Sequence, residues 1–304
     1  MTSNDKPCYC AFVVAGAVAL VGTLLTVAAV RSKTKTIEVA AHESEKSRKV
    51  YESLESERQY MDFHFTPSKE LYVGSLKSIE EAFDFPVRVA TKFQQYRPEK
   101  FERALDLGCA VGASTFELSK HFGHVLGVDL SSKFVDCANR MKNEGSFTFE
   151  STDQGRITVP RTATLPAGCN PSHCTFLVGD AVEIGDTFGT FDGVLAANLV
   201  CRVAEPRSLL DSFSKMLVGG GILVLLSPYS WWDGATAPSK WIGGVPGEER
   251  SELQVKSILQ VGFELLDEKN EPFLIRDHSR RYQVGFSHCT VWRRKSDGKV
   301  TARK

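Results

Sequence analysis

The stretch Ala104-Leu-Asp-Leu-Gly-Cys-Ala-Val-Gly112 is an apolar run that ends in an acid and then turns between two glycines. Arg103 to Leu107 reads as a short strand, and the turn from Gly108 to Gly112 lets the backbone pass close to a ligand where a Cβ would clash. A helix is expected to open at Ala113-Ser-Thr-Phe-Glu-Leu. The next apolar run, Val125-Leu-Gly-Val-Asp129, ends in a second carboxylate about 20 residues after the turn, the spacing that sets an acid over a ribose diol in a βαβ unit. The dinucleotide fingerprint itself is incomplete, because Ala110 stands where its middle glycine would be.

Further along, Thr175-Phe-Leu-Val-Gly-Asp180-Ala181 is another strand running into an acid, and Phe191-Asp-Gly-Val-Leu-Ala-Ala-Asn198 is an apolar strand ending in a polar side chain. A lone Asp is ordinarily a helix cap or a solvated loop residue. Four such strand ends are another matter, since the carboxyl ends of an open parallel sheet form its ligand crevice, where Asp106, Asp129, Asp180 and Asn198 are expected to converge. Met216 to Pro228 supplies a helix end, a glycine turn and a fifth strand. Ser146 to Glu150 and Arg156 to Pro160 alternate like the two arms of a hairpin around Asp153-Gln-Gly155. A helix from Ser251 to Val261 precedes two strands, Phe263 to Asp267 and Val284 to Arg294, that close the sheet with an antiparallel edge.

This ordered set resembles the class I S-adenosylmethionine-dependent methyltransferases over about Phe101 to Arg294. The resemblance implies an α/β fold with a Rossmann-like, doubly wound, mostly parallel seven-stranded sheet, and S-adenosyl-L-methionine as cofactor. It also implies that Asp106, Gly108 and Gly112 line the methionine and ribose side, that Asp129 holds the ribose hydroxyls, and that Asp180 with Ala181 faces the adenine. Cys109, Leu130 and Asn198 complete the implied cofactor set.

Cys8 to Val30 carries no charged residue and is followed by Arg31, Lys33 and Lys35. That length matches the roughly 20 residues that cross a bilayer, so a transmembrane helix is expected to precede the α/β domain. A secretory signal is the competing reading, with Ala28 and Ala29 as a cleavage site. The basic flank places a single-pass protein with its folded domain in the cytosol. The expected organisation is an anchor over 1–31, a charged stalk over 32–50, a helical lid over 51–100, the α/β domain over 101–295 and a basic tail over 296–304. The lid aromatics are Tyr51, Tyr60, Phe63, His64 and Phe65. Charge balances at 37 basic and 37 acidic residues, which gives no basic surplus for nucleic acid. The cysteines lack paired metal spacing, Cys169, His173 and Cys174 included, so no metal is expected.

Several peptides narrow the resemblance: Tyr51-Glu52 with Phe63-His64-Phe65, Ala196-Ala-Asn-Leu-Val-Cys-Arg202, Ser227-Pro-Tyr-Ser-Trp231, Trp241-Ile-Gly-Gly244, Pro272-Phe-Leu-Ile-Arg-Asp-His278 with Arg281-Tyr282, and His288-Cys-Thr-Val-Trp-Arg293. Together they are similar to the C-terminal mercaptohistidine N-methyltransferase domain of the ovothiol-synthesis enzymes, the OvoA family, over about Tyr51 to Arg294. The likeness implies methylation of a thiolhistidine ring nitrogen, with a separate sulfoxide synthase as partner, because the iron-dependent half of that family has no counterpart here. Asn198, Arg202, Tyr229, Trp231, Arg276, Asp277, His278 and Tyr282 are the expected acceptor-side residues. Arg202 or Arg276 would clamp a carboxylate, Asp277 would meet an ammonium, and His278 or Tyr282 would take the ring proton. Another small or membrane-derived acceptor, or a non-catalytic cofactor-binding scaffold, are the alternatives.

Overall fold

The computed structural model describes residues 48–67, 77–184 and 187–296. β1 (Arg103–Leu107) is its axis: Ala104, Leu105 and Leu107 are fully buried, as an apolar strand covered on both faces must be. β1 pairs in parallel with β2 (His124–Asp129) on one side and with β6 (Phe191–Ala197) on the other. β5 (Cys174–Val178) extends the sheet beyond β2, and β7 (Leu217–Ser227) extends it beyond β6. β9 (Arg281–Arg294) and β8 (Phe263–His278) run antiparallel, so the seven strands lie in the order β5-β2-β1-β6-β7-β9-β8. The strand order therefore reverses between β1 and β6, where a doubly wound sheet opens its crevice.

The period of two along each strand divides the core into two layers. Leu105, Val194, Leu223 and Trp292 share one face with Leu209 and Phe213 of α6 (Pro206–Met216). Ala104, Leu195, Val224 and Val291 share the other with Val89 of α2 (Phe85–Ala90) and Phe93 of α3 (Lys92–Gln95). A third cluster lies against β5: Phe116 of α4 (Ala113–Leu118), Phe134 and Met141 of α5 (Ser132–Glu144), and Met61 of α1 (Leu54–Phe65). Full burial of a Leu or Phe in such a layer contributes about 1.5–3 kcal/mol. α7 (Ser251–Leu259) docks on α6 and returns the chain to the edge strands.

The hairpin between α5 and β5 is longer than its sequence suggests. Its arms, β3 (Ser146–Gln154) and β4 (Ile157–Thr164), form a separate two-stranded sheet that packs on α1. The edge strands are longer too: β8 runs on to His278 rather than ending at Asp267, and β9 begins at Arg281 rather than Val284. Charged residues from Asp267 to Glu271 disguise the extension, and Pro272 is tolerated because β8 is an outer strand.

Asp62 fixes α1 in place. Its Oδ2 accepts Arg276 Nη1 at 2.9 Å and Ser151 Oγ at 2.6 Å, and its Oδ1 accepts Thr66 Oγ1 at 2.9 Å. One buried carboxylate thus ties α1 to β3 and β8. Among the described residues no helix is long and apolar enough to cross a membrane. The expected span over 8–30, most of the stalk and nearly all of the tail lie outside the described residues.

Candidate active site

The turn after β1 is held from both sides. Gly108 N and Cys109 N donate to Val128 O at 2.8 and 3.1 Å, and Ala110 N donates to Asp129 Oδ2 at 2.9 Å. Gly108, Ala110 and Gly112 all have positive φ, at 71°, 47° and 95°. At Gly112 a Cβ would sit 2.8 Å from the Phe176 ring, so the glycine is demanded by space as well as by conformation. Ala110 adopts the same left-handed region despite its methyl group, which costs about 1–2 kcal/mol and is sustained by the Asp129 bond.

The two acids at this turn do different work. Asp106 Oδ2 accepts Ser114 Oγ and Thr115 Oγ1, both at 2.7 Å, and so braces the start of α4. Asp129 receives two backbone amides, Ala110 N on Oδ2 and Ser131 N on Oδ1 at 2.9 Å. Burial pushes both carboxyls up to about 6, opposed at Asp106 by the two hydroxyls and at Asp129 by backbone amides. Asp180 Oδ1 accepts Val182 N at 2.9 Å after β5. Asn198, after β6, sits at φ 57°, where its side-chain oxygen accepts Ser287 Oγ at 2.6 Å.

These strand ends open on a cavity of about 370 Å³. Aromatic side chains line it too: Tyr51, Tyr60, Phe63 and His64 from the α1 region, Phe85 from α2 and Phe273 from β8. His64 Nδ1 accepts Ala113 N at 3.3 Å while its ring stacks on Tyr60 at 6.0 Å. Burial drives the imidazole down to about 3, so His64 is neutral and carries its proton on Nε2. Burial raises the Tyr51 and Tyr60 phenols, with the Arg202 guanidinium opposing it, and both keep their protons. Arg202 is itself held by Ser230, through its carbonyl and, at 2.9 Å, its hydroxyl.

Asp106, Gly108, Asp129, Leu130, Asp180, Ala181, Asn198 and Arg202 all line this one cavity. The other expected residues do not. Cys109 and Gly112 lie behind the turn, in the cluster around Phe116 and against Phe176 respectively. Tyr229 bonds His288 at 3.0 Å, and Trp231 bonds Ser251 at 2.9 Å while stacking on Trp241. Arg276 is not free to clamp a carboxylate, because its charge is spent on buried Asp62. His278 receives Arg280 N at the β8–β9 turn, and Tyr282 donates to Ser279 O at 2.9 Å, so neither proton acceptor reaches the cavity. Asp277 stands behind the wall and reaches it only through glutamines. Gln59, Phe273 and Gln283 line the cavity without having been foreseen, although Phe273 falls inside a quoted peptide.

Residues 105–225 match a family model described as a methyltransferase domain. Over that stretch the chain is similar to methyltransferase domains. It is 26% identical over 177 residues to phosphoethanolamine N-methyltransferase 1 of Triticum aestivum, a match covering 58% of this chain and 28% of the wheat protein. Among solved structures it is similar to magnesium protoporphyrin IX methyltransferase of Synechocystis PCC 6803 with bound S-adenosylmethionine. That likeness has 15% identity and a TM-score of 0.49, and covers 83% of this chain and 97% of that one. The N-methyltransferase NodS of Bradyrhizobium japonicum WM9 in complex with S-adenosyl-L-homocysteine is a second, at 16% identity and TM-score 0.45, covering 78% and 98%.

S-adenosylmethionine is the ligand bound in the Synechocystis structure. The cavity has the chemistry to hold it. Asp129 offers carboxylate lone pairs beyond its two amide bonds, and Gly108 leaves the turn open where a Cβ would press on Leu199 at 3.0 Å. Among the described residues no three His, Cys, Asp or Glu gather as a metal ion would need.

Proposed function

We propose that the chain methylates a ring nitrogen of a thiolhistidine, the last step of ovothiol synthesis. One observation carries the choice of a small planar acceptor: the cavity lined by the strand-end acids is lined by aromatic rings as well. An imidazole stacks on such a wall. S-adenosylmethionine supplies an electrophilic methyl group on a sulfonium centre.

The residues divide by position. Asp129 accepts the ribose hydroxyls, the open backbone from Gly108 to Ala110 admits the methionine end, and Asp180 with Ala181 borders the adenine. Arg202, fixed by Ser230, is the guanidinium that meets an acceptor carboxylate. His64 acts as a hydrogen-bond donor rather than a base, because Nδ1 is engaged by Ala113 and Nε2 bears the proton. Tyr51 and Tyr60 likewise stay protonated and donate. A neutral ring nitrogen already holds its lone pair, so alignment and exclusion of water supply much of the acceleration.

The wheat relative's name supports a second reading, methylation of a small amine, for which an aromatic wall suits the growing ammonium by cation–π attraction. In either reading we assign residues 8–30 as the anchor of a cytosol-facing domain, and in the first a separate sulfoxide synthase supplies the thiolhistidine. The full chain in detergent, given S-adenosylmethionine with 5-thiolhistidine or with phosphoethanolamine, tests the choice by mass spectrometry. Ring methylation of the first supports the proposal; methylation of phosphoethanolamine alone replaces it with the second reading.

A further inference from the structure

Asp277 lies outside the cavity but organises part of its wall. Its Oδ1 accepts Gln59 Nε2 at 2.7 Å from α1 and Gln283 Nε2 at 2.6 Å from β9. Its Oδ2 lies 3.1 Å from Arg281 Nε, on a largely exposed side chain. A carboxylate only accepts hydrogen bonds, so it dictates which end of each glutamine amide faces it. Both NH₂ groups turn to Asp277, and among the described residues neither carbonyl oxygen takes part in a hydrogen bond, on two residues that line the cavity. Two acceptors of fixed orientation, contributed by two different elements, thus stand at one side of the cavity with a negative charge directly behind them.

We infer that Gln59 and Gln283 form the subsite for a protonated amine on the methyl acceptor, with Asp277 as the positioning residue that aims both carbonyls at it. This rests on the cavity being the acceptor site of a methyltransferase, and it holds for any acceptor that carries an ammonium group. Arg202 supplies a guanidinium to the same cavity lining, so a zwitterionic acceptor would be read by both groups. Arg281 limits the excess negative charge at Asp277 from the solvent side, which leaves orientation of the amides as the carboxylate's main contribution.

The test is binding to the full chain saturated with S-adenosylhomocysteine, measured by calorimetry with two ligand pairs that differ in the ammonium alone. One pair is 5-thiolhistidine and its deamino analogue, 3-(5-thioimidazolyl)propionate. The other is phosphoethanolamine and 2-hydroxyethyl phosphate. The inference predicts that in at least one pair the amine binds tighter by about tenfold or more. Gln283→Leu and Asp277→Asn should each cut that preference to within about threefold, because Asn can donate as well as accept and so releases the amides to turn. The S-adenosylhomocysteine affinity and melting temperature should hold, which separates loss of the subsite from loss of the fold. A preference confined to the phosphoethanolamine pair would sustain the subsite while removing thiolhistidine as the substrate. No amine preference in either pair, or a preference that survives both substitutions, would overturn the inference.

Discussion

Asp129 is the residue to which we assign the cofactor's ribose, and its environment makes that assignment measurable in two ways. Asp129→Ala removes charge-assisted hydrogen bonds to the ribose and should weaken S-adenosylhomocysteine binding by about 1–3 kcal/mol, read by calorimetry. An unchanged affinity would refute its ribose role. The second consequence is in pH. Burial holds the carboxyl at about 6, so it is ionised and fully accepting above that value. Below about pH 6 the dissociation constant should climb by up to tenfold per unit, and it should stay flat from pH 7 to 8. The unliganded protein behaves oppositely. A folded-state value above the ordinary carboxylate range means the fold binds the proton more tightly than the unfolded chain does. The contribution from Asp106 and Asp129 is therefore complete below about pH 4 and lost as pH rises through about 6. At this scale the convergence of Asp106, Asp129, Asp180 and Asn198 on one cavity was legible, because a strand end fixes where a polar side chain goes. The acceptor side was not: Arg276, His278 and Tyr282 had the right chemistry, but only the long β8–β9 pairing shows that they face Asp62, the hairpin turn and Ser279 instead.

Between elements, the two junctions that set the site are the β1–α4 turn and the docking of α1. Gly112→Ala would place a methyl group 2.8 Å from Phe176 at a φ of 95°, combining overpacking with backbone strain. A loss of at least about 2 kcal/mol in urea unfolding is expected, together with weaker cofactor binding. At the second junction, Asp62→Ala strands the Arg276 guanidinium, which is only 2% exposed, and should cost about 3–5 kcal/mol. The double variant Asp62→Ala/Arg276→Met should recover much of that loss, since an uncompensated charge is worse than no charge. If the double variant is no more stable than the single, the pair is not what holds α1 down. Neither junction could be composed from the sequence alone. α1 shows aromatics that suit a lid, but its anchor lies 214 residues away in the chain, at Arg276. Likewise Gln59 and Gln283 give no local signal, and they become a pair only through Asp277.

For the molecule as a whole, the alternation of apolar strands ending in polar residues was enough to foresee a parallel sheet with its crevice at Asp106, Asp129, Asp180 and Asn198. The hydrophobic period survives tertiary assembly because both faces of each central strand are covered. It fails at the outer strands, where β8 is charged, half exposed and defined only by β9. A crevice built across five parallel strands and closed by α1 also predicts that cofactor binding stabilises the entire fold. S-adenosylhomocysteine at a hundred times its dissociation constant should add about 2.7 kcal/mol and raise the melting temperature, with the gain lost in Asp129→Ala at the same concentration. The most direct test of the account is methyl transfer itself. The full chain is incubated with S-adenosylmethionine and, separately, 5-thiolhistidine and phosphoethanolamine, and the products are resolved by mass spectrometry with fragmentation to locate the methyl group. The account predicts a thiolhistidine product heavier by one methyl on a ring nitrogen, formed together with S-adenosylhomocysteine. Intact S-adenosylmethionine, shown to be bound, with neither acceptor methylated would contradict it.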